Sequence, residues 1–339
     1  MRRRDRVLRA GALAAAAAAV LAGCAIPLPE VEADPPVEGP QPALDEPRIE
    51  RVLDSVAAVL AEGDAAADAA LLEPRLNGPA LETRLAEYAL AQATAGSEDE
   101  ATTPQQLTTE PQVVAVSQSE TWPKTIFVFT EIAEGMNTPL LIGLQQDEPR
   151  ADYRLFSWVR LLPEVTTPAT AVIAEGSPQV APDAEGLRLS PVDTVAAYAS
   201  ALADTESEQV ATFTEDVFRT LVSDDRIAIA ESVEDAGEYS EAYAADPDFV
   251  PVSLQTADGG AIVFGAIGST HTYERTIDDS EMTVGGQIAL LAGEAEGIEV
   301  EESVTASYHL MVAFYVPADP ETQIQVLGAE RVLQSVTTE

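Results

Sequence analysis

The sequence predicts an α+β fold: two repeats of N-terminal helices packed on a bent antiparallel sheet, placed after a signal peptide and a proline-rich tether. Three observations carry this reading. Apolar residues recur at helical spacing at the start of each half. Runs rich in Val, Ile, Phe and Trp then follow one another without intervening helices. Two prolines, Pro47 and Pro191, open the halves at matching points. A parallel α/β sheet would alternate helices with strands, and the chain does not.

In chain order, the first element is a leader. Arg2, Arg3, Arg4 and Arg6 form a basic start, and Ala10–Leu21 is an apolar run too short to span a bilayer. Small residues then lead to a cleavage point between Gly23 and Cys24, so residues 1–23 read as a secretory signal peptide. Leu21-Ala22-Gly23-Cys24 resembles the lipobox of bacterial lipoproteins. That resemblance implies a diacylglyceryl cysteine at Cys24, palmitate-type acylation of its amine, and anchoring on the outer, extracellular face of the cytoplasmic membrane. An ordinary signal peptide that happens to contain a cysteine is the alternative. Cys24 is the sole cysteine, so it has no internal disulfide partner. The paired arginines hint at twin-arginine export, but Arg6 occupies a position where that pattern wants a large apolar residue, and Sec or twin-arginine export stays open. Residues 24–46 carry Pro27, Pro29, Pro35, Pro36, Pro40 and Pro42. They read as a disordered, extended tether, and about 20 residues at ~3.1 Å each would reach ~60 Å.

The first α+β domain is expected over residues 47–165. Ile49, Val52, Leu53, Val56, Val59 and Leu60 mark one helix face, and Leu81, Leu85, Tyr88 and Ala89 another. Residues 95–110 are polar and read as a loop. Strands are expected at 112–119, 124–133, 139–145 and 152–162. A linker covers 166–189. The second domain, 190–339, opens at Ser190-Pro191-Val192-Asp193, a helix start with cap, proline and acidic residue in register. Val192, Val195, Ala199 and Leu202 line its first helix, and Val210, Phe213, Val217 and Leu221 a second. A third helix is expected over 226–243, then strands at 250–255, 261–275, 304–316 and 323–338, with an acidic insertion near 278–302.

Helices followed by a meander resemble the NTF2-like or cystatin-like cone, once over residues 47–162 and again over 191–337. The whole chain is also similar to a group of uncharacterised lipobox lipoproteins of high-GC Gram-positive bacteria, through the lipobox, Ser190-Pro191 and the strand Ala261-Ile-Val-Phe-Gly265. That group implies no activity. The element order speaks against the two-lobed solute-binding lipoproteins.

The chain holds 18 basic and 58 acidic residues, for a net charge of −40. It is an acidic protein that repels nucleic acid and anionic headgroups, so any hold on the membrane must come from lipid. Phosphate loops, nucleophile elbows and zinc-protease motifs are missing from the sequence, and no cofactor is expected. The clusters Glu98-Asp99-Glu100, Asp246–Asp248, Asp278-Asp279 and Glu299–Glu302 lack calcium-loop spacing and read as surface charge, not as a metal site.

Two groups of side chains are candidates for a site. His271, Tyr273 and Arg275 share a strand face, and with His309 they would form a pocket if the strands line a concave sheet. Arg154, Phe156, Trp158 and Arg160 share another face and would line a ligand groove, unless they are the core and edge of the sheet. The resulting expectation is a non-enzymatic binding or scaffold role at the cell envelope, toward an envelope protein, a cell-wall component or a small ligand. The alternative is a cell-envelope hydrolase with its pocket in the second domain.

Overall fold

Helix α1 (Glu46–Ala66) begins where the Asp45 carboxylate accepts the Arg48 backbone N–H and Pro47 occupies the first turn. The computed structural model describes residues 39–97 and 99–339. The expected signal peptide, its expected cleavage point at Gly23 and Cys24, and the expected tether up to residue 38 lie outside the described residues. Residues 40–46 of the expected tether belong to the folded unit Pro40–Glu339: Ala43 and Leu44 pack against its core, and Ala43 N donates to Ser117 O at 2.8 Å.

The chain is α+β. Helix α2 (Gly78–Thr94) follows α1 and precedes four antiparallel strands, β1 (Pro111–Val116), β2 (Lys124–Thr130), β3 (Leu140–Gln146) and β4 (Arg154–Leu161). The second half opens with α3 (Pro191–Ala203), where the Ser190 hydroxyl accepts Asp193 N and donates to the Asp193 carboxylate. Next come α4 (Val217–Val233), β5 (Gly237–Ala245), β6 (Val252–Gln255) and β7 (Ala261–Arg275). β8 (Thr283–Val284), α5 (Gly286–Ala292) and β9 (Ile298–Glu299) fold the acidic insertion into a small core with Leu90, Tyr273 and Leu333. Two long strands, β10 (Ser303–Val316) and β11 (Gln325–Thr338), complete the order. Among the described residues, no helix is long and apolar enough to cross a membrane.

Two expected helices are corrected. Val210 falls in a short 3-10 turn and Phe213 is extended, bridging to Ile324. The helix starts only after Asp216, whose side chain caps Arg219 N at 2.8 Å. That cap sets a helical phase that leaves Val217 46% and Leu221 59% exposed. The helix expected over 226–243 stops at Val233, and β5 begins at Gly237, where a Cβ would meet the Glu274 carbonyl at 2.0 Å. Tyr239, Glu241 and Tyr243 alternate at the strand period, a signal that the helical spacing masked.

The main sheet runs β1-β2-β3-β4-β11-β10-β7-β5, with β6 sharing the β7 edge below β5. The last strands of the two halves, β4 and β11, meet antiparallel at Leu161–Gly328 and Arg160–Ala329. Five strand spacings separate β2 from β7, about 24 Å of sheet. Yet the rings of Phe127 (β2) and Phe264 (β7) lie 5.0 Å apart, and Phe156 (β4) and Phe264 5.5 Å. The sheet therefore curls until its wings face each other across one apolar core.

Residues 177–180 join the open edges. Ser177 N donates to Val116 O at 2.7 Å and Gln118 N to Ser177 O at 3.0 Å on the β1 side. Gln255 N donates to Pro178 O at 2.9 Å and Val180 N to Ser253 O at 3.2 Å on the β6 side. The expected linker, 166–189, thus contains a strap that closes the sheet into a ring and satisfies edges that would otherwise template aggregation. The regions expected as 47–165 and 190–339 share this one ring.

Outside the ring, α3 lies against β7 and β5. Gly265 permits the approach, because a Cβ there would sit 2.4 Å from Val195 Cγ2. Gly265→Ala is expected to cost about 1–3 kcal/mol in urea unfolding. Adding Val195→Ala should recover part of that loss; a double-mutant cycle with coupling below ~0.5 kcal/mol would show that the two sites do not touch.

Candidate functional site

The β7–β10 register decides where the candidate residues go. Ala306 pairs with His271 and Gly268 with His309. Facing partners share a side, so the three-residue offset between Ala306 and His309 puts the two histidines on opposite faces. The expected pocket of His271, Tyr273, Arg275 and His309 does not assemble. The sequence shows each strand's alternation but not the register between strands.

His271 lies under α4 in a closed polar network centred on Glu241, whose side chain is 2% exposed. Arg226 of α4 donates to Glu241 Oε2 from Nε at 2.9 Å and Nη2 at 2.8 Å, and also reaches Leu202 O. Tyr239 donates to Oε1 at 2.7 Å and Tyr243 to Oε2 at 3.0 Å. Because the Tyr239 hydroxyl donates to Glu241, His271 Nδ1–H donates to Tyr239 Oη at 2.6 Å, and Nε2 is free to accept from Ser269 at 3.3 Å. Burial alone would raise the Glu241 carboxyl; the hydrogen bonds from Tyr239 and Arg226 and the nearby His271 outweigh it and hold it low. Burial pushes His271 down to about 4 against the pull of Glu241, with Arg331 and Arg226 adding to the depression. Tyr308 covers the ring at 4.5 Å. Tyr273 packs at a tilt against Tyr239, ring centres 5.0 Å apart, and Arg275 is held at the strand end by Glu301 O. Ser269 and Glu241 escaped sequence reasoning; each shares its strand face with an aromatic or imidazole ring two residues away.

His309 occupies the other face, in a groove of ≈ 460 Å³ beyond the rim of the ring. The floor is β5, β7 and β10. One wall is Glu82 of α2, and another is the turn carrying Asp246 and Asp248. Glu82 Oε2 lies 3.9 Å from His309 Nδ1, and ligand atoms of Glu82, Asp246 and His309 lie within 4.8 Å of one another. Burial, then repulsion from Asp246 and Asp248, raises the Glu82 carboxyl, and burial lowers His309 despite Asp246. The Asp246 and Asp248 pair was visible in the sequence as surface charge; its convergence with Glu82 and His309 was not.

The expected groove of Arg154, Phe156, Trp158 and Arg160 is filled core with polar ends. Phe156 and Trp158 are buried, Phe156 stacking on Phe249 at 5.9 Å over Gly143. Trp158 Nε1 donates to Gln105 at 2.9 Å, with the Arg84 guanidinium 5.3 Å from its ring. Arg154 pairs with Asp147 at 2.6 Å. Arg160 alone faces a cleft, beside Glu87 and Glu330. There, burial and then the Glu87 charge push Glu330 up to about 7, against Arg160, Gln105 and Arg84.

The buried neutral imidazole makes stability depend on pH. Between about 4 and the ordinary value near 6.5, the unfolded chain binds a proton at His271 that the folded chain refuses. Stability is therefore full above that window and falls as pH drops through it, by up to about 3 kcal/mol. Urea midpoints from pH 7 to 4 should fall less steeply in His271→Gln. Some slope should remain, since the lowered His309 works in the same direction. An unchanged slope would mean that His271 is protonated in the folded state. Separately, Glu241→Ala strands a partly buried cation and two hydroxyls and should cost about 3 kcal/mol by the same assay.

Neither the curated proteins nor the solved structures include a match to the chain. A family model described as a domain of unknown function, DUF8094, matches residues 40–336. Those bounds coincide with the folded unit that holds both the Glu241 network and the acidic groove, and the chain belongs to the DUF8094 family.

Proposed function

We propose that this protein is a lipid-anchored, extracytoplasmic lipoprotein with a non-enzymatic binding or scaffold role at the cell envelope, using the groove under α2 to take a cationic ligand or partner group. The observation that carries the reading is the contrast between the two faces of the β5–β7–β10 region. The groove is open and walled by the carboxylates of Glu82, Asp246 and Asp248. The His271 side is buried and its polar atoms are spent on one another. Open carboxylates select cations. The address rests on the basic start, the apolar run and Leu21-Ala22-Gly23-Cys24. Val217, Leu221 and Ile227, exposed on α4, offer a second surface to an envelope protein.

The finer reading of the fold is a duplicated NTF2-like or cystatin-like cone. Each half runs helices first and then a meander, and the final strands β4 and β11 meet antiparallel. A two-fold relation between copies sets equivalent strands together in that sense.

A second reading, an envelope hydrolase, draws on the Ser269–His271–Glu241 order, with Ser269 Oγ 3.3 Å from His271 Nε2 and Nδ1 3.4 Å from Glu241. Burial of Ser269 stands against it, since a nucleophile must reach its substrate.

The Cys24→Ser chain should leave the membrane fraction and rebind isolated envelopes in a co-sedimentation assay; adding Glu82→Gln and Asp248→Asn should weaken that rebinding about tenfold or more. Equal rebinding by the groove variant would remove the groove from the reading. A fluorophosphonate probe should leave Ser269 unlabelled, and labelling that vanishes in Ser269→Ala would replace binding with hydrolysis.

A further inference from the structure

We infer that Glu82, Asp246 and His309 form a binding site for one divalent transition-metal ion of the zinc type at the floor of the groove. The inference rests on the groove being the binding surface and names its ligand more closely.

The first observation is convergence. The three side chains come from α2, the β5–β6 turn and β10, and their ligand atoms lie within 4.8 Å of one another. Ligands bound at ~2.1 Å around a tetrahedral ion stand ~3.4 Å apart. The 3.9 Å from Glu82 Oε2 to His309 Nδ1 therefore needs only a small closure. Glu82 can supply it, since its side chain is half exposed and makes no other ion pair among the described residues.

The second observation is independent of the acidic cluster. His309 is 3% exposed, its Nε2 is buried without a hydrogen-bond partner among the described residues, and its Nδ1 meets only Glu82, at 3.9 Å. A buried imidazole ordinarily finds a partner for each nitrogen. Here Nδ1 faces the carboxylates across a distance too long for a hydrogen bond and short for two ligands of one ion. His271, the other histidine of the chain, shows the ordinary case, with both nitrogens engaged.

The donor set selects the ion. One neutral imidazole and two carboxylates suit zinc and its first-row neighbours. Calcium and magnesium prefer all-oxygen cages, and copper(I) wants sulfur. Asp246 is oriented for the task by the Asp248 N–H, which donates to its Oδ1 at 2.9 Å. The carboxylates of Asp246 and Asp248 beside Glu82 are the charge a dication would neutralise. With three protein ligands the ion keeps an open position toward the groove, where an oxygen or nitrogen of a bound partner can complete it.

The test uses the full chain with Cys24→Ser, so that no thiol competes, freed of metal with a chelator and titrated calorimetrically with zinc chloride. One equivalent should bind saturably, and calcium chloride should not match it. His309→Ala should weaken zinc at least about 100-fold. Glu82→Gln, on an exposed side chain that folding does not need, should weaken it at least tenfold, whereas His271→Gln should leave it unchanged. Absence of saturable binding, equal binding of calcium, or zinc affinity unaltered in both His309→Ala and Glu82→Gln would overturn the site. The groove itself is judged by envelope rebinding: rebinding without zinc binding removes the metal site alone, while zinc binding without rebinding removes the envelope ligand and keeps the metal site.

Discussion

Phe264 is the contact on which the architecture depends. It stands on β7 and meets Phe127 and Phe156, which belong to strands far around the same sheet. That meeting is available only if the sheet curls, and the curl brings its two outer edges close enough for residues 177–180 to bridge them. The two neighbours along β7 have opposite duties. Phe264 fills the inside of the ring, and Gly265 clears space outside it for Val195 of α3. Gly143 plays the corresponding part inside, where a Cβ would strike the Phe156 ring at 2.5 Å. Large and bare positions alternate because one strand must serve two packed faces at the density of a protein interior.

The polar groups divide along the same sheet. Under α4, Glu241 is surrounded by an arginine and two tyrosines, so its charge is compensated where it is made. Across the sheet, Glu82, Asp246 and Asp248 crowd together with no lysine or arginine among the described residues that line the groove. One face balances its charges internally and the other leaves the balance to something outside the chain. An acidic surface alone would not produce this contrast, since most of the acidic residues are spread over solvent.

Much of the secondary structure was legible because single elements declare their own periods. Ile49, Leu53, Val56 and Leu60 spell a helix face, and Ser190-Pro191-Val192-Asp193 spells a helix start. Where two periods overlap, the local signal misleads: Tyr239, Glu241 and Tyr243 lie in a stretch of helical spacing, yet they belong to the strand that Gly237 opens beside the Glu274 carbonyl. The capped start at Asp216 likewise overrode the apolar spacing of Phe213, Val217 and Leu221. The sites were less legible still. Their assembly depends on strand register, on a curl spanning both halves, and on a proline-rich stretch that the sequence presents as a spacer but that carries the bonds closing the ring. None of these is encoded by a local pattern.

The place of β11 bears on how the fold is reached. It follows every other strand in the chain, yet it lies between β4 and β10 in the middle of the sheet. Until it inserts, the first meander and the second have no strand in common, and the strap holds two half-built edges with nothing to close against. Synthesis alone therefore cannot complete the structure piece by piece. The pairing of β11 with β10 is a local hairpin; the long-range step is the junction with β4 at Leu161–Gly328 and Arg160–Ala329, which raises the contact order and slows folding. Until then the outer backbone edges of β4 and β11 stay open to other chains, so crowding and holding factors have their greatest leverage on this protein just before the two halves join.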